Sequence, residues 1–289
     1  MKDFNNKVAV ITGAGSGFGR EFARISAALN MKLALADINQ ATLDEVTAEL
    51  RAQGAEVLAL RTDVSRAEDM EALAAKIFET YGATHLLFNN AGVGAGGFIW
   101  ENSIKDWEWV LGVNMWSVIH GIRLFTPKML AQGDECHIVN TASVAGLLSA
   151  QMMGVYNVSK HAVVTLSETL YQDLQVAKAN IGVTVLCPAF VSTGIAASER
   201  NRPIDLQDDA PLTESQKLAA AATMKAVQSG RITAADVAAK TFDCIRENKF
   251  YCLTHPKILG SVELRMQDIL AQRNPTDPFS LKPSVAPVR

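Results

Sequence analysis

The segment Tyr156-Asn157-Val158-Ser159-Lys160, with Ser143 thirteen residues upstream, holds the residue types needed to move a proton at an alcohol or carbonyl oxygen. A free phenol titrates near pH ~10, so Tyr156 can act near neutrality only where positive charge favours its phenolate. Lys160 lies four residues on, one helical turn along the same face, and can place an ammonium beside the ring oxygen. If the helix starts just before Tyr156, its dipole also favours negative charge there. Ser143 offers a hydroxyl that can orient a substrate oxygen. A second string, Thr12-Gly13-Ala14-Gly15-Ser16-Gly17-Phe18-Gly19, suits a different task. Glycines permit steep turns and close backbone approach, and a helix opening at such a loop presents unpaired N–H groups to phosphate. Either string alone recurs by chance, as a helix-surface pair or an ordinary tight turn. Together, in this order, they point to a dinucleotide held by its pyrophosphate near a proton-transfer tyrosine.

These residues need a scaffold that brings them together. Short apolar runs at 8–11, 33–36, 57–60, 86–88, 137–140, 183–186 and 250–253 read as seven strands. Between them, apolar residues recur at helical spacing, as in Leu43, Val46 and Leu50 or Met70, Leu73 and Ile77. The expected fold is α/β: a single-domain, doubly wound, parallel seven-stranded sheet with helices on both faces. In such sheets ligands bind outside the carboxyl ends of the strands, and each motif falls just after a strand. Helices are predicted over 21–29, 107–130, 154–176 and 218–227. Asp37 closes the second strand, where a carboxylate can accept hydrogen bonds from the adenosine ribose and would repel a 2′-phosphate. Neither Ser16 nor Ile38 supplies a compensating cation, so NAD(H) is favoured, with NADP(H) as the alternative. A surface aspartate without a role is the competing reading.

The 289 residues are 48% hydrophobic and 20% charged, with net charge −3. That balance shows no electrostatic footprint for nucleic acid or an anionic membrane. The polar start of the chain and the lack of a long apolar stretch argue against a signal peptide or a membrane span, so a cytoplasmic protein is expected. Cys136, Cys187, Cys244 and Cys252 lack CxxC spacing, and the five histidines lack ligand spacing, so no metal site is expected.

Over roughly residues 5–195 the chain resembles the short-chain dehydrogenase/reductase family, with a Rossmann-type fold. Residues 12–19 are similar to its TGxxxGxG loop, from which Gly13, Ser16, Gly17, Phe18 and Gly19 would contact the cofactor. Asp63 and Val64 resemble the pair at the adenine ring, and Asn89, Asn90, Ala91 and Gly92 the NNAG turn along the cofactor. Pro188, Val191 and Thr193 fall in a PG-x-x-x-T-like segment on the nicotinamide side, with Ala189 in place of the usual glycine. Thr84 and His85 also depart from the pair that commonly precedes the fourth strand. The resemblance makes Asn114, Ser143, Tyr156 and Lys160 a catalytic tetrad, with Asn114 linking Lys160 to solvent through water. Without it, Asn114 would read as a buried structural hydrogen-bonder. The family also implies a homodimer or homotetramer paired through helices 107–130 and 154–176.

The chemistry expected is interconversion of a small-molecule secondary alcohol and a ketone. An epimerase or lyase with tightly held NAD, or a non-catalytic dinucleotide sensor, are the alternatives. Apolar residues after the fourth and fifth strands (Phe98, Ile99, Trp100; Leu147, Leu148, Met152, Met153) suggest either an apolar or aromatic substrate pocket or packing against a lid or another subunit. Residues 1–273 form the expected domain, including a substrate lid at about 193–230. The tail, 274–289, carries prolines at 275, 278, 283 and 287 and should lack regular structure, either disordered or draped over a neighbouring subunit.

Overall fold

The computed structural model describes residues 1–281. All seven expected strands form: β1 Val8–Thr12, β2 Lys32–Asp37, β3 Val57–Arg61, β4 Leu86–Asn89, β5 Cys136–Thr141, β6 Ile181–Cys187 and β7 Tyr251–Leu253. They make one parallel sheet in the order β3-β2-β1-β4-β5-β6-β7. The order reverses between β1 and β4, which opens the crevice expected of a doubly wound sheet.

Alternation along the strands builds a core on each face. Ala9 and Ile11, Leu33 and Leu35, and Leu86 and Phe88 face one layer, where α1 (Gly17–Ala28), α2 (Gln40–Ala52) and α8 (Ala234–Glu247) pack. Phe88 stacks on Phe22 of α1 at 4.4 Å between centroids and meets Phe242 of α8 at 5.7 Å. Val10, Ala34, Ala36 and Leu87 face the other layer, of α3 (Ala67–Tyr81), α5 (Ser117–Gln132) and α6 (Gly154–Val176). Each fully buried aromatic here contributes about 2–3 kcal/mol.

Helix α6 spans 154–176 as expected, with Tyr156 in its first turn. The helix expected over 107–130 is three pieces: α4 (Ile104–Leu111), a π-turn at Gly112–Trp116, and α5. The π-turn inserts extra backbone between two α-helices and carries Asn114. Helix α1 begins at Gly17, four residues ahead of the expected start, because Gly17 enters at φ +52° and no side chain caps the first turn. The segment over the crevice holds 3-10 turns at Gly194–Asn201 and Ile204–Leu206 and then α7 (Glu214–Gln228), which is longer than the expected 218–227. After α9 (Leu259–Leu270) the chain has neither helix nor strand through 281. Pro275 and Pro278 lie in that stretch, whereas Pro283 and Pro287 lie outside the described residues. No helix among the described residues is long and apolar enough to cross a membrane.

Candidate active site

At the carboxyl ends of the strands lies a cleft of about 790 Å³, lined by Gly13, Asp37, Asn90, Ser143, Tyr156 and Pro188 among others. Following the strand order, Asp37 ends β2, Gly13 follows β1, Asn90 follows β4, Ser143 follows β5 and Pro188 follows β6. At about 4.8 Å per strand, β2 to β6 spans about 19 Å, a run that suits an extended two-nucleotide ligand.

The Gly-rich loop is shaped by close approach. A Cβ on Gly13, which sits at φ +66°, would lie 2.9 Å from the Ala91 Cα, and one on Gly19 would overlap the Gly13 carbonyl. Gly15 passes so near α2 that a Cβ there would be 2.5 Å from the Thr42 hydroxyl. Ser16 offers no side-chain cap to α1, so the amides of its first turn face the cleft as a phosphate-sized cradle. Phe18 turns its ring to the core beside Phe22, 6.5 Å between centroids. Its contribution to the cradle is therefore backbone. Gly17 lies next to Thr193, whose methyl would sit 3.6 Å from an added Cβ.

Asp37 does more than sequence reasoning assigned. Its Oδ2 accepts from the Gly15 N–H at 2.8 Å and its Oδ1 from the Asn39 N–H at 2.9 Å, so the carboxylate also holds the glycine loop. Lone pairs on both oxygens remain for a ribose. Asp63 accepts the backbone N–H and hydroxyl of Ser65, leaving Val64 packed beneath the same end of the cleft. Thr12 sews the central strands together: its hydroxyl donates to the Phe88 carbonyl and accepts the N–H groups of Asn90 and Ala91. The Asn90 amide donates to the Thr12 carbonyl at 3.0 Å and accepts from Thr141 at 3.2 Å. Val191 is buried in the core under the loop, and Thr193 lines the cleft.

Ser143, Tyr156, Lys160 and Asn114 converge, each less than a tenth exposed. Ser143 Oγ caps the short turn Val144–Gly146 by accepting from the Ala145 N–H at 3.1 Å, and donates to the Pro188 carbonyl at 3.3 Å. Lys160 Nζ lies 5.7 Å from the Tyr156 ring centre and donates to the Thr141 carbonyl at 2.9 Å. Asn114 accepts from the Val93 N–H at 2.8 Å and donates to the Val93 carbonyl and to Ser159 Oγ. Ser159 in turn donates to the Tyr156 carbonyl. Asn114 thus ties the chain after β4 to the tyrosine's own helical turn. A Cβ on Gly92 would come within 3.4 Å of Asn114 Oδ1 and 3.5 Å of Lys160 Nζ, so glycine keeps the space between them open.

The electrostatics depart from expectation in one respect. Burial pushes the Tyr156 phenol up to about 12, with the Ser143 hydrogen bond acting in the opposite sense, and pushes the Lys160 ammonium down to about 8. A phenol lowered by the Lys160 ammonium was expected. Instead burial of the ring dominates and raises it.

Several contacts were not foreseen. Arg202 pairs with Asp106 at 2.8 Å, both side chains buried, and lies over the Trp109 ring at 5.0 Å. Glu101 accepts from Thr213 and Ser215 at 2.6 Å each, and Ser198 accepts from the Gly94 N–H. These bonds join the segment 194–216 to α4 and to the chain between β4 and α4. They link residues about a hundred positions apart, which no local sequence pattern reports. Of the apolar residues suggested as a pocket, Leu148 and Met153 line the cleft. Phe98, Ile99 and Trp100 do not, and are 40%, 50% and 75% exposed, because the chain turns them outward with Phe98 stacked on Trp100.

The family model for short chain dehydrogenases matches residues 7–203. A short chain dehydrogenase/reductase from Burkholderia phymatum, solved in complex with NAD, is 58% identical, covering 97% of this chain and 100% of its own at a TM-score of 0.95. A CLA biosynthesis dehydrogenase/reductase from Lactiplantibacillus plantarum is 35% identical over 95% of this chain and 97% of its own. A cyclohexanol dehydrogenase from an Acinetobacter species is 37% identical over 67% of this chain and 76% of its own. With the glycine loop, the Ser-Tyr-Lys cluster and the sheet order all in place, the chain belongs to the short-chain dehydrogenase/reductase family.

Proposed function

We propose that this protein is an NAD(H)-dependent oxidoreductase that interconverts a secondary alcohol and a ketone. The observation that carries the proposal is the placement of Tyr156, with Ser143 and buried Lys160 around it, in the same cleft as the glycine loop. The dinucleotide, when bound, supplies the acceptor or donor of the hydride. In the oxidative direction Tyr156, as phenolate, takes the hydroxyl proton of the alcohol, and in reduction the phenol returns it to the carbonyl oxygen. Ser143, anchored by the Ala145 N–H, turns its hydroxyl proton from the Pro188 carbonyl to that same oxygen and fixes its distance from Tyr156. Lys160 favours the phenolate electrostatically and would hold the nicotinamide ribose. Asn114 orients the turn bearing Tyr156 through Ser159, and the opening at Gly92 leaves room for a water between Asn114 and Lys160.

The anchored carboxylate of Asp37 supports NAD over NADP, since a 2′-phosphate would meet a fixed negative charge. Gly13, Ser16, Gly17 and Gly19 would hold the pyrophosphate, Asp63 and Val64 the adenine, Asn90, Ala91 and Gly92 the middle of the cofactor, and Pro188, Val191 and Thr193 the nicotinamide side. The names of two relatives, one an alcohol dehydrogenase for cyclohexanol, favour the same reaction class. In this reading residues 1–273 form the catalytic domain, and 193–230 is a lid that closes over bound dinucleotide. The protein acts in the cytoplasm as a dimer or tetramer, and Trp116, Val158 and Val176 present apolar surface on the two pairing helices.

Titration of nicotinamide fluorescence with NADH and NADPH, followed by NAD reduction with cyclohexanol and 1-phenylethanol, tests the proposal. NADH should bind more tightly, and Tyr156→Phe should keep that affinity while losing at least ~1000-fold in kcat. A Tyr156→Phe enzyme of undiminished kcat would remove the tyrosine from the mechanism.

A further inference from the structure

The chain after α9 returns to the cleft. Arg273 N–H donates to the Asp268 carbonyl, the Arg273 guanidinium pairs with the Asp268 carboxylate at 2.9 Å, and the same carboxylate accepts the Thr276 N–H at 2.9 Å. Those bonds hold the Asp268 carboxyl below the usual carboxylate range, the Thr276 N–H foremost. Asp277 then accepts the Phe279 N–H, closing a turn that brings the Phe279 ring to the wall of the cleft. There it meets Phe190 at 6.4 Å between centroids with the planes tilted by 35°.

This wall belongs to the substrate end. Phe190 lies two residues beyond Pro188, whose carbonyl receives the Ser143 hydroxyl and the Val144 N–H. Val144 and Leu148, on the turn that follows Ser143, pack against Ile258 and Val262, the latter on the helix that carries the tail. Asp37, at the opposite end, lies four strands away. Both phenylalanines are half-buried, neither ring is part of a sealed core, and each offers a face to whatever occupies the cleft.

We propose that the segment 274–281 forms a wall of the substrate pocket and that Phe279, with Phe190, is a subsite for an aromatic ring attached to the carbinol carbon. The proposal rests on the oxidoreductase function above. The two rings touch each other and line the wall side by side, and a flat ring laid against that wall gains edge or offset contacts beyond simple burial. Phe279 is then a specificity-determining residue supplied by a part of the chain outside the strand-and-helix core.

The test is binding of ketones to the full-length protein saturated with NAD, the oxidised cofactor, which cannot reduce them, followed by saturation-transfer NMR so that no turnover takes place. The probes are acetophenone, 2-octanone as an alkyl counterpart and 2-butanone as a small one. Acetophenone should bind the wild type, weaken about tenfold in Phe279→Ala and about threefold in Phe279→Leu, and lose more than 2-octanone does. NADH affinity, measured separately by fluorescence, should stay within about twofold in both variants because the nucleotide end is remote. Should Phe279→Ala fail to fold, Phe279→Leu preserves the apolar volume and carries the comparison. No acetophenone binding to the NAD-loaded wild type, equal acetophenone affinity in wild type and variants, or equal losses for 2-octanone and acetophenone would each overturn the aromatic subsite. Failure of NADH to bind would instead count against the oxidoreductase function itself.

Discussion

Replacing Lys160 with methionine keeps the length of the side chain and removes its charge, in a position only 2% exposed. Burial moves the ammonium from an ordinary 10.5 down to about 8. Below pH 8 both folded and unfolded chains carry the proton, and the folded state bears the full penalty of the buried charge, about 3 kcal/mol. Between pH 8 and 10.5 the folded lysine is neutral while the unfolded one still binds a proton. Stability rises with pH wherever the unfolded state holds more protons, so the penalty fades across that window. Wild type should therefore gain roughly 2 kcal/mol relative to Lys160→Met between pH 7 and pH 10, and nothing between pH 5.5 and 7. Loss of the bond to the Thr141 carbonyl shifts the offset between the two proteins but leaves this slope alone. Urea unfolding of both proteins at pH 6, 7, 8.5 and 10 measures it. A stability difference that stays constant from pH 7 to 10, or that moves the other way, would show that Lys160 is not held in a charge-disfavouring site.

Two further substitutions probe the scaffold. Gly19→Ala should drive a methyl into the Gly13 carbonyl, cost about 1–3 kcal/mol in thermal unfolding, and weaken NADH at least ~100-fold. NADH affinity within threefold of wild type would refute the close approach of the loop. Arg202→Met should leave the Asp106 carboxylate buried without its partner, a loss of about 3 kcal/mol concentrated in the segment that the pair fastens. Hydrogen exchange over 194–213 should accelerate while that of β1 and β4 is unchanged, and unaltered exchange would show that the pair holds nothing in place.

What was legible from sequence follows from the range of each signal. Strands in a doubly buried sheet announce themselves as short apolar runs, and each of the seven fell within a few residues of its expected place. Helix α6 was delimited by its long apolar pattern and contains the tyrosine and lysine on one face. Helix α1 was not delimited, because its start depends on a positive-φ glycine and on first-turn amides left without a side-chain cap, whereas capping side chains are the usual sequence sign of a helix start. The π-turn at 112–116 escaped because a hydrophobic pattern of period 3.6 passes over an extra residue without registering it. Glycine 13 was read correctly as a loop residue, whereas glycines 17 and 19 belong to the first turn of α1, and the reliance of the loop on Asp37 is a contact across 22 residues. The direction of the Tyr156 shift was beyond reach, since desolvation depends on everything packed around a ring and not on its neighbours in sequence. The inward turn of Phe279 hangs on two aspartates, Asp268 and Asp277, and proline content alone pointed away from it.

The reversal of strand order at β1 and β4 also divides the chain in a second way. Residues 1–81 supply β1 to β3, the glycine loop, Asp37 and Asp63, while everything from β4 onward supplies Asn90, Asn114, Ser143, Tyr156 and Lys160. The halves meet chiefly along β1 against β4 and α1 against α8, and the surface turn at Gly82 is the hinge between them. Cut there, the protein becomes two fragments, each contiguous in sequence and each carrying half of the cleft. A dinucleotide spanning the seam would bridge them, so nucleotide binding doubles as a measure of whether two separately made pieces have found each other.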